Sequence, residues 1–312
     1  MRDDYNNLSI GRLRPAKHAV DPFVPYHFLH EEEPGLSGGI ETVNTIFLTS
    51  RECAFKCLMC DLWKNTIDDP MPHGAILRQI DYALERLPAA DNIKLYNSGN
   101  FFDTKAVFPQ DYPAIAKRLS GYKRVIVENH PRLCNSSCIE FLELLEGTLE
   151  IAMGLETIHP GVLPRLNKQL TPEDFRKATV FLNRHGVDVR SFILLNPPYL
   201  TDVRENIDWT LRSVQYAFES GAARCTVIPV RAGNGIMDML AEEKQYVPPS
   251  LDMLEEVFEK ALLMKQGQVF ADTWDIGLLS ACPVCFEARK QRLESMNLRQ
   301  KTEPFIQCNC KS

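Results

Sequence analysis

Cys53-Ala-Phe-Lys-Cys57-Leu-Met-Cys60 sets three thiols in one short loop, with three and then two residues between them. Thiolates this close can hold three corners of one iron–sulfur cluster. A [4Fe-4S] cube normally takes four cysteines, so a three-cysteine loop leaves one iron open to a small chelating ligand. Zinc is the alternative, but a structural zinc wants four protein ligands, and no obvious fourth adjoins this loop. A second set stands near the C-terminus, as Cys282-Pro-Val-Cys285 and Cys308-Asn-Cys310. Two pairs give the count for a closed zinc site or an auxiliary [4Fe-4S] cluster. A Cys-x-Cys pair is unusual in a zinc knuckle, and iron must be supplied to the first loop, so iron–sulfur is the favoured expectation. Cys134, Cys138 and Cys225 read as packing residues.

Such chemistry needs a folded scaffold, and the 312 residues allow one large domain or two ordinary ones. The 45% hydrophobic and 24% charged residues exclude a low-complexity or mostly disordered chain. A net charge of −6 gives no general field toward nucleic acid or anionic lipid, so a polyanionic partner would need a local patch. There is no apolar run long enough to span a membrane and no signal-peptide core after Met1, so the expected compartment is the cytoplasm, with no membrane partner. Cytoplasmic thiols stay reduced, which favours metal or redox chemistry over disulfides for the clustered cysteines.

The elements that would position the loop begin at Thr42. Residues 1–41, rich in Pro, His and charge, read as an extended arm. Residues 42–267 alternate β-branched runs with amphipathic stretches, the pattern of βα units around a parallel sheet. Strands are expected at Val43–Thr49, Ile93–Tyr96, Val125–Glu128, Leu149–Leu155, Val187–Leu195 and Cys225–Val230. Helices are expected at Ala75–Leu87, Ala114–Leu119, Ile139–Leu145, Pro172–Arg184, Val203–Glu219 and Leu251–Lys265. Six such units suit an α/β fold of the partial (β/α)6 TIM-like barrel type, whose site lies where the strands' C-terminal ends meet the βα loops; periodicity alone does not distinguish it from an open doubly wound sheet. Residues 268–312 form a Cys-rich metal-binding extension.

The triplet directly follows the first strand. The second strand runs into the polar turn Asn97-Ser98-Gly99, and the third and fourth end at Glu128 and Glu156, where a carboxylate reaches a ligand's hydroxyls, caps a helix or joins an ion pair. The sixth leads to Arg231, a fixed cation for the carboxylate of a cofactor or a substrate phosphate, or for an ion pair. His130 and His159 have no partner legible in the sequence.

S-adenosylmethionine fits the open iron through its amino and carboxylate groups, and a reducing cluster beside its sulfonium breaks an S–C bond to give an adenosyl radical. The loop and its place after the first strand resemble the signature of the radical S-adenosylmethionine superfamily. That resemblance implies that Asn97, Ser98 and Gly99 meet the methionine amino group and that Glu156, with Glu128 next, holds the ribose. Met59 stands where the family commonly has an aromatic residue, and its polarizable side chain can pack on adenine. From about Thr45 to Val230, Cys57-Leu-Met-Cys60-Asp61, Tyr96-Asn-Ser-Gly-Asn-Phe-Phe-Asp103, Gly154-Leu-Glu-Thr157, Leu166-Asn-Lys168 and Leu194–Thr201 resemble one branch. It contains the radical subunit of archaeosine synthase and, more distantly, the catalytic subunit of Elongator. The branch implies a lyase-type reaction on a modified 7-deazaguanine base, as nucleoside or in tRNA, driven by an external reductant such as flavodoxin or ferredoxin. Two alternatives stay open: radical rearrangement of, or sulfur insertion into, a small metabolite, and a non-catalytic metal-binding interaction protein.

Overall fold

The structure, a computed structural model, describes residues 5–307. In chain order the elements are α1 (Asn7–Leu13), β1 (His27–Pro34), β2 (Ile40–Phe47), β3 (Ser50–Arg51), β4 (Thr66–Ile67), α2 (Ala75–Leu84), β5 (Asn92–Tyr96), α3 (Tyr112–Arg118), β6 (Arg124–Glu128), α4 (Ser136–Leu142), β7 (Thr148–Glu156) and α5 (Pro172–Arg184). They continue with β8 (Asp188–Leu195), α6 (Val203–Glu219), β9 (Arg224–Pro229), α7 (Ile236–Glu242), α8 (Leu251–Leu263), β10 (Gln268–Ala271) and α9 (Pro283–Arg299). The six expected strands and six expected helices all form. Thr171 caps α5 through a reciprocal pair with Asp174, with Pro172 at the first helical position, as its sequence implies.

One curled sheet carries eight strands in the order β1-β2-β5-β6-β7-β8-β9-β10, parallel except for β1, which runs antiparallel to β2. Residues on the sheet's outer face, among them Ile93, Leu95, Val125, Val127, Ile151, Val189 and Val227, are buried with Ile80, Ile115, Phe141, Phe175, Val214 and Phe258 of the helices. The α9 helix touches both β1 and β10. The β1–β2 hairpin also reaches the opposite edge, where Gln268 Nε2 donates to the Gly35 carbonyl at 2.8 Å. The curl therefore nearly closes at the strands' N-terminal ends and stays a partial barrel.

The lumen floor is charged. Glu150, wholly buried, accepts from Arg190 Nε at 2.7 Å and from Arg224 Nη1. Glu33 takes Arg190 Nη2 at 2.8 Å and Lys94 Nζ, while Arg124 Nη2 reaches Glu41 at 2.9 Å. Four cations meet four carboxylates here once Glu31, 2.8 Å from Lys94, is included. A buried pair of this kind adds little over apolar packing, but removing one member leaves an uncompensated charge.

The sequence reading missed β1 and β10, and the floor explains why. Along β1 the inward positions alternate through His27, Leu29, Glu31 and Glu33, so charge faces the interior and the usual apolar signal is inverted. The β10 strand is only 4 residues long. Residues 27–41, taken as arm, thus supply a strand and its hairpin turn. The N-terminal part does lie over the barrel mouth. Its α1 is capped by Asn6 and Ser9, and Ile10 is buried with Leu58, Leu166 and Leu194.

Candidate active site

The triplet loop leaves β2 and crosses the C-terminal mouth, fixed from several directions. Leu58 N–H donates to the Leu166 carbonyl at 2.9 Å, and Asn167 Nδ2 to the Lys56 carbonyl at 2.7 Å. Asn234 Nδ2, from the loop after β9, donates to the carbonyls of Leu58 at 2.9 Å and Cys60 at 3.1 Å. The neighbouring Gly235 has φ +89, and a Cβ there would lie 2.3 Å from the Leu13 carbonyl oxygen, so glycine lets the arm pass over this loop. The Phe55 ring stacks on His130 at 3.8 Å. His130 Nδ1 accepts the Arg132 N–H at 3.2 Å, so Nε2–H donates to the Lys168 carbonyl at 3.0 Å. Burial pulls His130 down to about 3, and it stays neutral. The two histidines without a legible partner are therefore local structure, since His159 Nδ1 accepts the N–H of Gly161 and Val162.

Burial pushes the three thiols up, Cys53 and Cys57 to about 11 and Cys60 to about 12. Thiolates form in such a place when a cation replaces their protons, which iron does. Asn100 Nδ2 donates to Cys53 Sγ at 3.1 Å, an amide N–H suited to a ligating sulfur. Among the described residues no three His, Cys, Asp or Glu side chains converge on one metal ion. Cluster thiolates stand wider apart than the ligands of a single ion, because each takes its own iron. Three largely covered thiols on one fixed loop, with an amide on one sulfur and no adjoining fourth ligand among the described residues, fit a cube with one open corner.

Asn97, Ser98 and Gly99 lie against the triplet: a Cβ at Gly99 would stand 3.5 Å from Cys53 Cβ. Glu128 accepts the Gly99 N–H at 3.1 Å and also the N–H groups of Asn97 and Ser98. Burial nevertheless raises it to about 7. Ser98, at φ +56, donates to the Tyr26 hydroxyl at 3.0 Å, and Asn97 Oδ1 is buried without a partner. With its N–H groups spent on Glu128, this turn has acceptors left for an ammonium group.

Glu156 sits at a bulge in β7 with φ +67, a conformation a side chain adopts only under constraint. Its Oε1 meets Lys168 Nζ at 2.7 Å, and both residues are buried. Burial alone would lower Lys168, but Glu156 and then Cys57 hold it well above the ordinary lysine range. A Cβ at Gly154 would lie 2.1 Å from Glu156 Oε1, so that glycine makes room for the pair. Met59 is partly buried in the apolar cap over the loop. Arg231 is turned elsewhere, toward Asp272 at 3.1 Å and the Trp274 carbonyl. Cys282 and Cys285 are buried at the start of α9, whereas Cys308 and Cys310 lie outside the described residues. An open groove of about 590 Å³ lies at the other end of the barrel, between the β1–β2 turn and the end of α9.

Sequence reasoning gave no role to Tyr26, Asn100 or Asn234. Lys168 did stand in a family-like stretch, Leu166-Asn-Lys168, but nothing in the sequence paired it with Glu156.

No family model matches the chain. Archaeosine synthase subunit beta of Methanosarcina acetivorans is 25% identical over 296 residues, covering 88% of this chain and 85% of the relative. The protein of the same name from Thermococcus kodakarensis is 25% identical over 211 residues, 64% of each chain. Among solved structures, Elp3 of the archaeon Methanocaldococcus infernus, lacking its N-terminus, superposes with TM-score 0.52 at 16% identity. That match covers 71% of this chain and 59% of that one, and it shows a shared fold. The resemblance carried by the cysteine triplet therefore agrees with these comparisons: over most of its length the chain is similar to archaeosine synthase subunit beta, and its fold is shared with Elp3.

Proposed function

We propose that this protein is a radical S-adenosylmethionine enzyme that abstracts hydrogen from a modified 7-deazaguanine base and releases product by lyase-type C–N cleavage. One observation carries the radical chemistry: three thiols on a single loop, Cys57 buried and Cys53 and Cys60 partly so, held at the mouth of a parallel barrel, with no fourth protein ligand adjoining among the described residues. The choice of base rests on the branch resemblance and on relatives named archaeosine synthase subunit beta. When bound, the cluster and S-adenosylmethionine supply an electron and a 5'-deoxyadenosyl radical.

The chain's own residues bind and orient. Cys53, Cys57 and Cys60 hold three irons. Asn97, Ser98 and Gly99, braced by Glu128, take the ammonium of the cofactor. Glu156, positioned by Lys168, takes the ribose, and Met59 packs on adenine. An external reductant such as flavodoxin or ferredoxin supplies the electron. The net charge of −6 favours a nucleoside or another small metabolite over an entire tRNA as the bound form. Rearrangement or sulfur insertion is the competing outcome, and the C-terminal cysteines would then hold a second cluster near the substrate.

The test is an anaerobic reaction with reductant and candidate modified nucleosides or tRNA, read by mass spectrometry for 5'-deoxyadenosine and product. Replacing Cys53, Cys57 and Cys60 together by Ala should abolish 5'-deoxyadenosine. Its persistence would remove the triplet from the reaction, and cofactor cleavage by wild type without a change in any base-containing substrate would remove the proposed substrate.

A further inference from the structure

The far wall of the barrel mouth carries a constellation that the cofactor site does not use. Val269 and Ala271 of β10 pack outward into the core, so by alternation Phe270 and the next residue, Asp272, face the lumen. Asp272 Oδ2 accepts from Arg231 Nη2 at 3.1 Å, and Oδ1 accepts the Trp274 N–H at 3.0 Å. A carboxylate has about four lone-pair sites, and two remain. Arg231 Nη2 also donates to the Trp274 carbonyl, while its Nε–H is buried without a partner. Beside the pair, the Trp274 ring lies 5.5 Å from His27 and 6.0 Å from Phe47, and Phe47 lies 6.1 Å from Tyr96. Trp274 is 50% exposed, a large aromatic surface left open at the mouth. Planar heterocycles are held by aromatic stacking with hydrogen bonds to their polar edge.

We propose that Arg231 and Asp272 read the Watson–Crick edge of a guanine-type base stacked on Trp274. The inference deepens, and rests on, the reading of the substrate as a modified 7-deazaguanine. With Nη2 spent and Nε buried, the pair offers Arg231 Nη1 as a donor, followed by the two remaining acceptor sites of Asp272. A guanine edge offers the complement: the O6 acceptor, the N1–H donor and the exocyclic N2–H₂ donor. Replacing N7 by carbon leaves that edge unchanged. Adenine sets its amino group against the guanidinium and its N1 lone pair against the carboxylate, two repulsions in place of two bonds.

The experiment is equilibrium dialysis of guanosine, 7-deazaguanosine, adenosine and xanthosine against the cluster-loaded protein. Wild type should bind both guanine-type nucleosides at least about tenfold more tightly than adenosine. Asp272→Asn presents one acceptor and one donor, which suit N1–H and a C2 carbonyl. It should therefore lose guanosine by about tenfold or more and prefer xanthosine. This gain separates altered recognition from misfolding. Trp274→Ala should weaken every base by a similar factor. An Asp272→Asn protein that keeps the wild-type preference would overturn the assignment and leave the proposed reaction standing. Wild type that binds no purine nucleoside while turning over another substrate would overturn both.

Discussion

Glu128 offers a measurement that separates its bracing role from bulk stability. Burial raises it from 4.5 to about 7, against the lowering effect of the N–H groups of Gly99, Asn97 and Ser98. The folded state thus binds this proton more tightly than the unfolded chain does. Its stabilisation is complete below about pH 4.5, falls as pH rises through about 7, and is absent above. Between about pH 5 and pH 8 the loss is about 2 kcal/mol, from 1.36 kcal/mol per tenfold change in proton affinity, reduced because solvent reaches this half-buried side chain. Glu128→Gln keeps the shape and removes the proton equilibrium. Urea unfolding of both proteins across that range should therefore give a wild-type curve that loses about 2 kcal/mol relative to the variant as pH rises. His130 opposes this trend, because its lowered value makes stability rise from about 3 to 6.5, but it contributes equally to both proteins and cancels in the difference. Parallel curves would refute the reasoning.

Further measurements test other parts of the site and scaffold. Glu156→Ala should weaken S-adenosylmethionine binding about tenfold or more in equilibrium dialysis, as expected for a lost hydrogen bond to a charged group. Unchanged affinity in a folded variant would leave Glu156 as the ion-pair partner of Lys168 alone. Glu33→Ala strips Arg190 and Lys94 of their shared anion and should cost about 3–5 kcal/mol in urea unfolding. Arg190 and Lys94 outweigh burial and hold Glu33 below the carboxylate range, so its stabilising effect is present above pH 4.5 and lost as pH falls below it. Elemental analysis of anaerobically reconstituted protein should find about eight irons, or about four irons and one zinc, if Cys282, Cys285, Cys308 and Cys310 hold a second centre. Four irons without another metal would show that they do not.

What the sequence made legible follows from which signals are local. Pro172–Arg184 and Val203–Glu219 form over the expected residues because capping, periodicity and termination are all written within a few turns. The triplet is legible for the same reason, since one loop carries all three cysteines. Residues that act across the fold leave weaker traces. Tyr26 reaches Ser98 across 72 positions and Asn234 reaches Leu58 across 176, and neither sits in a pattern that announces a partner.

The alternation along the strands links the floor to the mouth. Inward positions on β5 run Asn92, Lys94, Tyr96, and those on β7 run Glu150, Ala152, Gly154, before the bulge turns Glu156 to Lys168. Polarity on this face is therefore high at both ends for different reasons. At the floor, the charges neutralise one another in ion pairs, although the Asn92 carboxamide oxygen and Arg124 Nε are buried there without a hydrogen-bond partner. At the mouth, the polar groups are incompletely spent: the Asn97 carboxamide oxygen and the Arg231 Nε have no partner, and Glu156 has a second oxygen beyond its bond to Lys168. Unsatisfied buried polar atoms cost stability unless something else satisfies them. The Asn97 carboxamide oxygen lies on the turn packed against the cysteine loop, where a ligand entering from the mouth would satisfy it.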